Sequence, residues 1–342
     1  MLTTRRLTRH ASTSIVLLAL LSLALLSPVA AASGGDAELW ANGQDTNRIF
    51  ILNGRSLAGV ITLPAGTGPH VTTFSPSGAY AYVAGITSGD LVVIDAGDRT
   101  VASVIDLGGP GVHQAQPSPD GSFLLVSQTA ARQLIKVAAD ESAGAWSETA
   151  RVTLGAGPVC TLFVPGTDKA YVTLATGDLL VVDTGTLGVT GLVDIAGQAR
   201  CNLTWSKDSA TVYLTSENGT DGFLYSLDPA TDHATLLATF PGARDLHTPA
   251  PSPNGKQLYI AGRGNDLFYT VSLATLDVSS FEIGTPGVAD QPDGLVVIGN
   301  NAYVNLKRTG RMAVVGIRQQ AIDYIDLANP SANALLNVVR RP

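Results

Sequence analysis

The chain has 342 residues, with 21 Lys+Arg against 28 Asp+Glu and a formal charge of −7. An acidic chain lacks the basic surface that neutralises phosphates, so nucleic acid is excluded as a partner. Hydrophobic residues make up 45% and charged residues only 14%, which excludes a disordered chain, and 36 glycines point to many tight turns.

In chain order, the first element is a leader. Arg5, Arg6 and Arg9 precede an apolar run from Ile15 to Leu26, and the small residues of Ser27 to Ser33 offer a cleavage site. This reads as a secretory signal peptide over 1–32, cut after Ala32, with one domain over 33–342. The expected location is periplasmic or extracellular, with no membrane span after cleavage. Removing the three leader arginines leaves 18 basic residues against 28 acidic ones, a formal −10.

Next comes "AELWANG" (37–43), a short apolar strand, and its signature then recurs. Trp40, Tyr82, Leu125, Tyr171, Tyr213, Tyr259 and Tyr303 open comparable runs at spacings of 42, 43, 46, 42, 46 and 44. Each unit reads as four strands. The clearest is "VTTFSP" (71–76), "AYAYVAG" (79–85), "LVVIDA" (91–96) and "TVASVIDL" (100–107), separated by Ser, Gly and Asp turns. Ser-Pro-x-Gly at 75–78, 118–121 and 252–255 is a hairpin turn between the inner and second strands, and it decays to VPGT (164–167) and SKDS (206–209). No helical periodicity is present. Four-stranded units at this period predict a β-propeller. A lone terminal strand, "ALLNVV" (334–339), supplies the inner strand missing from the N-terminal unit. The expectation is an all-β, seven-bladed propeller closed by that strand, and a monomer.

The pattern Gly-Pro-His, Ser-Pro-Ser-Gly, AYVAG, LVVID over Gly68 to Asp95 resembles the YVTN-type β-propeller repeat of exported bacterial proteins. Echoes are YVTL (171–174), YLTS (213–216), YIAG (259–262) and YVNL (303–306), so the resemblance spans roughly 37–340. It implies the fold, and it is poor for function. The wider superfamily includes amine dehydrogenase heavy chains, nitrous oxide reductase propellers, lactonases and binding proteins.

Twelve residues before each anchor stand His70, His113, Val159, Cys201, His247 and Gln291. Three of the four histidines after the leader fall in this column, while His233 lies in an outer turn and reads as solvated. The column marks the handover from one blade's outer strand to the next blade's inner strand, at the channel mouth. The histidines either cap their loops through backbone carbonyls or line a ligand site. A third reading makes His70, His113 and His247 ligands for Cu or Zn, although nitrous oxide reductase uses more propeller histidines for copper than this chain has. No cofactor is the first expectation, with Cu or Zn as the alternative.

Cys160 and Cys201 show no metal or redox-motif spacing and lie in consecutive blades, so they are either a disulfide or two buried thiols. Loops on the same face carry Arg132, Arg200, Arg244, Arg263, Lys307, Arg308 and Arg311, alongside Asp90, Asp178, Asp221, Asp245, Asp266 and Asp290. These either pair with one another or hold a small anion. The ligand-site candidates are therefore His70, His113, His247, Arg200, Arg244, Asp245 and Asp290. No nucleophile elbow, zinc-protease motif or phosphate loop occurs. The functional expectation is an exported binding or scaffold protein that takes a small anion or a protein partner at this mouth. The alternative is a lactonase-like or redox-associated enzyme using the same mouth.

Overall fold

The computed structural model describes residues 37–342, apart from Thr248 and the side chains of Arg200 and Asn202. The expected signal peptide lies outside the described residues. No described helix is long and apolar enough to cross a membrane.

Seven antiparallel four-stranded sheets form a ring. Blade 1 joins Glu38–Gly43, Arg48–Asn53 and Ser56–Thr62 to the C-terminal strand Val338–Arg340. The inner strands of blades 2 to 7 are Pro69–Phe74, Val112–Pro117, Pro158–Val164, Gln198–Trp205, Ala250–Pro251 and Pro292–Ile298.

Alternation and burial explain the layering. The second strands, such as Tyr80–Gly85 and Lys169–Leu174, are buried along nearly their whole length. They are sandwiched between neighbouring blades, and so read as continuous apolar runs. Outer strands such as Thr100–Asp106 are largely exposed, Val101 and Val104 included. Trp40, Tyr82 and Tyr171 are fully buried, each contributing about 2–3 kcal/mol by removing apolar surface from water.

The core is divided among the blade interfaces. Tyr82, Leu91 and Val93 of blade 2 pack on Leu124, Val126 and Ile135 of blade 3. Equivalent clusters join every following pair of neighbours. Leu39, Phe50 and Leu52 of blade 1 pack on Tyr303, Met312 and Val314 of blade 7, which makes the ring continuous.

The Ser-Pro-x-Gly turns behave as read. Gly78 has φ +71° and its N–H donates to the Ser75 carbonyl at 2.9 Å, while the Ser75 hydroxyl accepts the Tyr80 N–H at 3.2 Å. In the decayed SKDS version Ser209 adopts φ +56°, so the turn survives without its glycine.

Ring closure is narrower than the expected strand at 334–339. Only Val338, Val339 and Arg340 pair regularly, with Ala41, Trp40 and Leu39. The preceding residues are held individually. Leu336 N–H donates to the Asn42 carbonyl at 3.0 Å, and the Asn305 amide donates to the carbonyls of Leu336 and Asn337 at 3.0 Å each.

Candidate site at the channel mouth

The inner strands break their pairing at one shared place. Register shifts fall between Pro69 and Thr72, Val112 and Gln114, Pro158 and Thr161, Ala199 and Leu203, and Pro292 and Leu295. An unpaired residue in a bulge re-aims its side chain. Here the bulges hold His70, His113, Cys160, Cys201 and Asp293. All five line one cavity of about 560 Å³, together with Gln44, Asp245, His247, Arg263 and Lys307.

Pairing register revises the column read from the sequence. In blade 7 Tyr303 pairs with Val296, whereas in blade 2 Tyr82 pairs with Thr73. The blade 7 hairpin is thus two residues shorter, and Asp293 replaces Gln291 at the column position. In blade 5 Tyr213 pairs with Thr204 at the same offset as Tyr82 with Thr73 in blade 2, so Cys201 keeps the column position counted from the anchor, and the bulge between Ala199 and Leu203 has one residue more. Counted instead from the last paired residue before each bulge, Ala199 and Pro158, Cys201 matches Cys160. The recurrent Pro of Pro69-His70, Pro158-Val159 and Pro292-Asp293 was the available sequence signal for Asp293.

One half of the mouth is a relay of neutral groups. His70 Nδ1 lies 2.7 Å from Gln44 Oε1, and His70 Nε2 lies 3.0 Å from His113 Nε2. With the Gln44 carbonyl oxygen accepting from Nδ1–H, His70 accepts at Nε2 and His113 Nε2–H donates. The His113 Nδ1 lone pair then faces Cys160 Sγ at 3.8 Å. Cys160 and Cys201 form a disulfide, with Cα atoms 4.9 Å apart. Burial pushes the His70 imidazole down to about 4, and Arg263, His247 and Lys307 add to that against the pull of Asp293. Burial likewise lowers His113 and His247. Burial thus favours the neutral form of the three rings, most strongly at His70 and His113.

The other half is charged. Asp293 Oδ1 lies 3.5 Å from His247 Nδ1, and its other oxygen accepts from Arg263. Arg263 also reaches Asp245 at 3.2 Å. Burial would raise Asp293, but His247 and Arg263 overcome it and hold the carboxyl at about 2. Lys307 is half-buried. Burial, with the nearby charge of Arg263, lowers its ammonium. Among the described residues, the Lys307 side chain has no hydrogen-bond or ion-pair partner.

The other expected site residues are placed elsewhere. Arg244 is exposed and is not on the cavity wall. Asp290 is fully buried off the wall, where it accepts the Thr285 N–H and lies 3.7 Å from Arg311. The Arg200 side chain lies outside the described residues. His233 is exposed, on an outer strand.

No protein-family model matches the chain, and no curated protein matches it by sequence. Its fold is shared with solved structures. One is Kuenenia stuttgartiensis hydrazine synthase, at 14% identity and TM-score 0.67, covering 81% of this chain and 92% of that one. Another is the dihydro-heme d1 dehydrogenase NirN in complex with DHE, at 11% identity and TM-score 0.64, covering 90% and 76%. A functionally unknown protein from Desulfotomaculum acetoxidans is similar at 13% identity and TM-score 0.69, covering 89% and 98%. At such identities the likeness carries the β-propeller fold alone.

Proposed function

We propose that the chain is an exported binding propeller of the YVTN type, which takes a small zwitterionic ligand in the cavity at its channel mouth. The observation that supports this most is the meeting of side chains from all seven blades around one space of about 560 Å³. His70, His113, Cys160, Cys201 and Asp293 stand in bulges rather than regular pleat, and the charged Asp245, Arg263 and Lys307 come from the loops above them.

Charge balance refines the ligand class. Arg263 and Lys307 offset Asp245 and Asp293, and burial favours the neutral form of the three histidines. A partly desolvated cavity with no net formal charge gains little from a bare anion. It suits a molecule that carries both signs, with its carboxylate at Lys307 and its ammonium at Asp245. The anion of the sequence reading becomes one end of such a ligand.

A thermal-shift panel on the oxidised chain tests the reading, with amino acids, simple carboxylates and simple amines as its arms. Amino acids or betaines raise the melting temperature most, and the gain is lost in Lys307→Ala and in Asp245→Asn. Equal stabilisation of wild type and Lys307→Ala, or no response to any zwitterion, overturns it.

A further inference from the structure

The geometry points to a metal site in the cavity wall that exists only when the Cys160–Cys201 disulfide is reduced, with His113 Nδ1, Cys160 Sγ and Cys201 Sγ as ligands to a Zn²⁺-type d¹⁰ cation. The three atoms already lie within 4.8 Å of one another. A tetrahedral ion with Zn–S about 2.3 Å and Zn–N about 2.0 Å needs S···N separations of about 3.5 Å and S···S of about 3.8 Å. The Cys160 Sγ···His113 Nδ1 distance is 3.8 Å. Opening the disulfide lets the sulfurs part to the required distance by side-chain rotation, since their Cα atoms stand only 4.9 Å apart.

The imidazole is oriented for this role from behind. Gln44 accepts from His70 Nδ1–H at 2.7 Å, and His70 accepts from His113 Nε2–H at 3.0 Å. That chain leaves the Nδ1 lone pair of His113 pointing at sulfur, as outer-shell partners do for metal-bound histidines. His70 is a positioning residue here. This differs from the three-histidine set read from the sequence, because His247 is engaged by Asp293. Cys201 and His113 are only partly buried and face the cavity, so an ion and a reductant both have an approach. With three protein ligands, the fourth position opens on the cavity.

The chemistry balances with a dithiol as reductant. The dithiol passes two electrons and two protons to the protein and becomes a disulfide, while the S–S bond of Cys160–Cys201 breaks to give two thiols. Binding the cation then releases both thiol protons and forms two metal–thiolate bonds.

The test uses the full chain without a His-tag. It is titrated with Co²⁺ and then Zn²⁺, oxidised or after reduction by a non-chelating phosphine under anaerobic conditions. The reduced chain binds one Co²⁺ with thiolate-to-cobalt charge-transfer absorption, which Zn²⁺ displaces, and the oxidised chain shows none. The Cys160→Ser/Cys201→Ser variant abolishes the band. His113→Gln and His70→Ala weaken binding at least about tenfold, and His233→Gln leaves it unchanged. Should the double variant fail to fold, Cys201→Ser alone serves, with circular dichroism as the check on both. The inference is overturned if the reduced chain shows no charge-transfer band, if oxidised and reduced chains bind alike, or if reduction abolishes the sheet signal. It is independent of the zwitterion reading, whose reporters are Lys307 and Asp245 on the oxidised chain.

Discussion

His70 and His113, from adjacent blades, meet Nε2 to Nε2 at 3.0 Å with ring centroids 4.2 Å apart. A pair this close shares one proton between the facing nitrogens, so protonating either ring breaks the relay. Burial holds His70 at about 4, against about 6.5 in an unfolded chain, and lowers His113 as well. A folded pKa below the unfolded one means that the unfolded state binds more protons as pH falls. Stability is therefore intact above about pH 6.5 and is lost progressively down to about pH 4. The shift at His70 alone corresponds to about 3 kcal/mol before allowance for screening by water in the cavity. Urea midpoints at pH 7 and pH 4.5 should differ clearly in wild type and much less in His70→Gln/His113→Gln. Equal pH sensitivity in the two proteins would refute the assignment.

Asp293 bridges Arg263 and His247 while buried. Replacing it with Ala leaves a largely buried guanidinium that keeps only Asp245, and the Arg263 Nε is already without a partner among the described residues. Removing one partner of a buried ion pair costs about 3 kcal/mol or more. Asp293→Ala should lower the denaturation midpoint accordingly, whereas Asp290→Ala should leave any ligand-induced shift intact, because Asp290 does not line the cavity. Chemical denaturation combined with the ligand panel reads both.

Blade number, strand order and ring closure were legible because each rests on local chemistry: buried second strands, Ser-Pro-x-Gly turns, and a terminal apolar run with no sequence neighbour to pair with. The mouth was only partly legible. A fixed offset from the Tyr anchors found His70, His113 and His247, whose blades keep a similar offset between column and anchor. It failed at Asp293, where a shorter hairpin shifts the count. Arg244 was grouped with Arg263 by loop position, yet only Arg263 turns inward to carboxylates. That difference is set by the partners Asp245 and Asp293, which meet it from two blades.

Gly294 lies in the blade 7 bulge under the closing segment. A Cβ there would stand 2.5 Å from the Val338 nitrogen and 2.8 Å from the Leu336 oxygen, both backbone atoms that cannot rotate away. The Gly294 N–H also donates to the Leu336 carbonyl at 3.2 Å. Gly294→Ala should cost about 1–3 kcal/mol through overpacking, and hydrogen exchange should accelerate first at Val338 to Arg340. Uniform acceleration around the ring, or none, would show that closure does not depend on this contact.

Cys160–Cys201 closes a loop with a sequence separation of 41. Loop entropy assigns such a cross-link a stabilisation of about 4 kcal/mol, through restriction of the unfolded chain. The two blades it joins also share an interface cluster, in which Tyr171, Leu179, Leu214 and Tyr225 are buried. That cluster does not depend on the sulfur–sulfur bond, so the reduced chain keeps its sheets while becoming easier to unfold. Phosphine-reduced protein should show unchanged far-ultraviolet circular dichroism at pH 7 and a lower urea midpoint. Zn²⁺ should restore much of the loss by re-joining the same two residues, and should do so only in chains that retain His113. Restoration in His113→Gln to the wild-type level would mean that the imidazole is not a ligand.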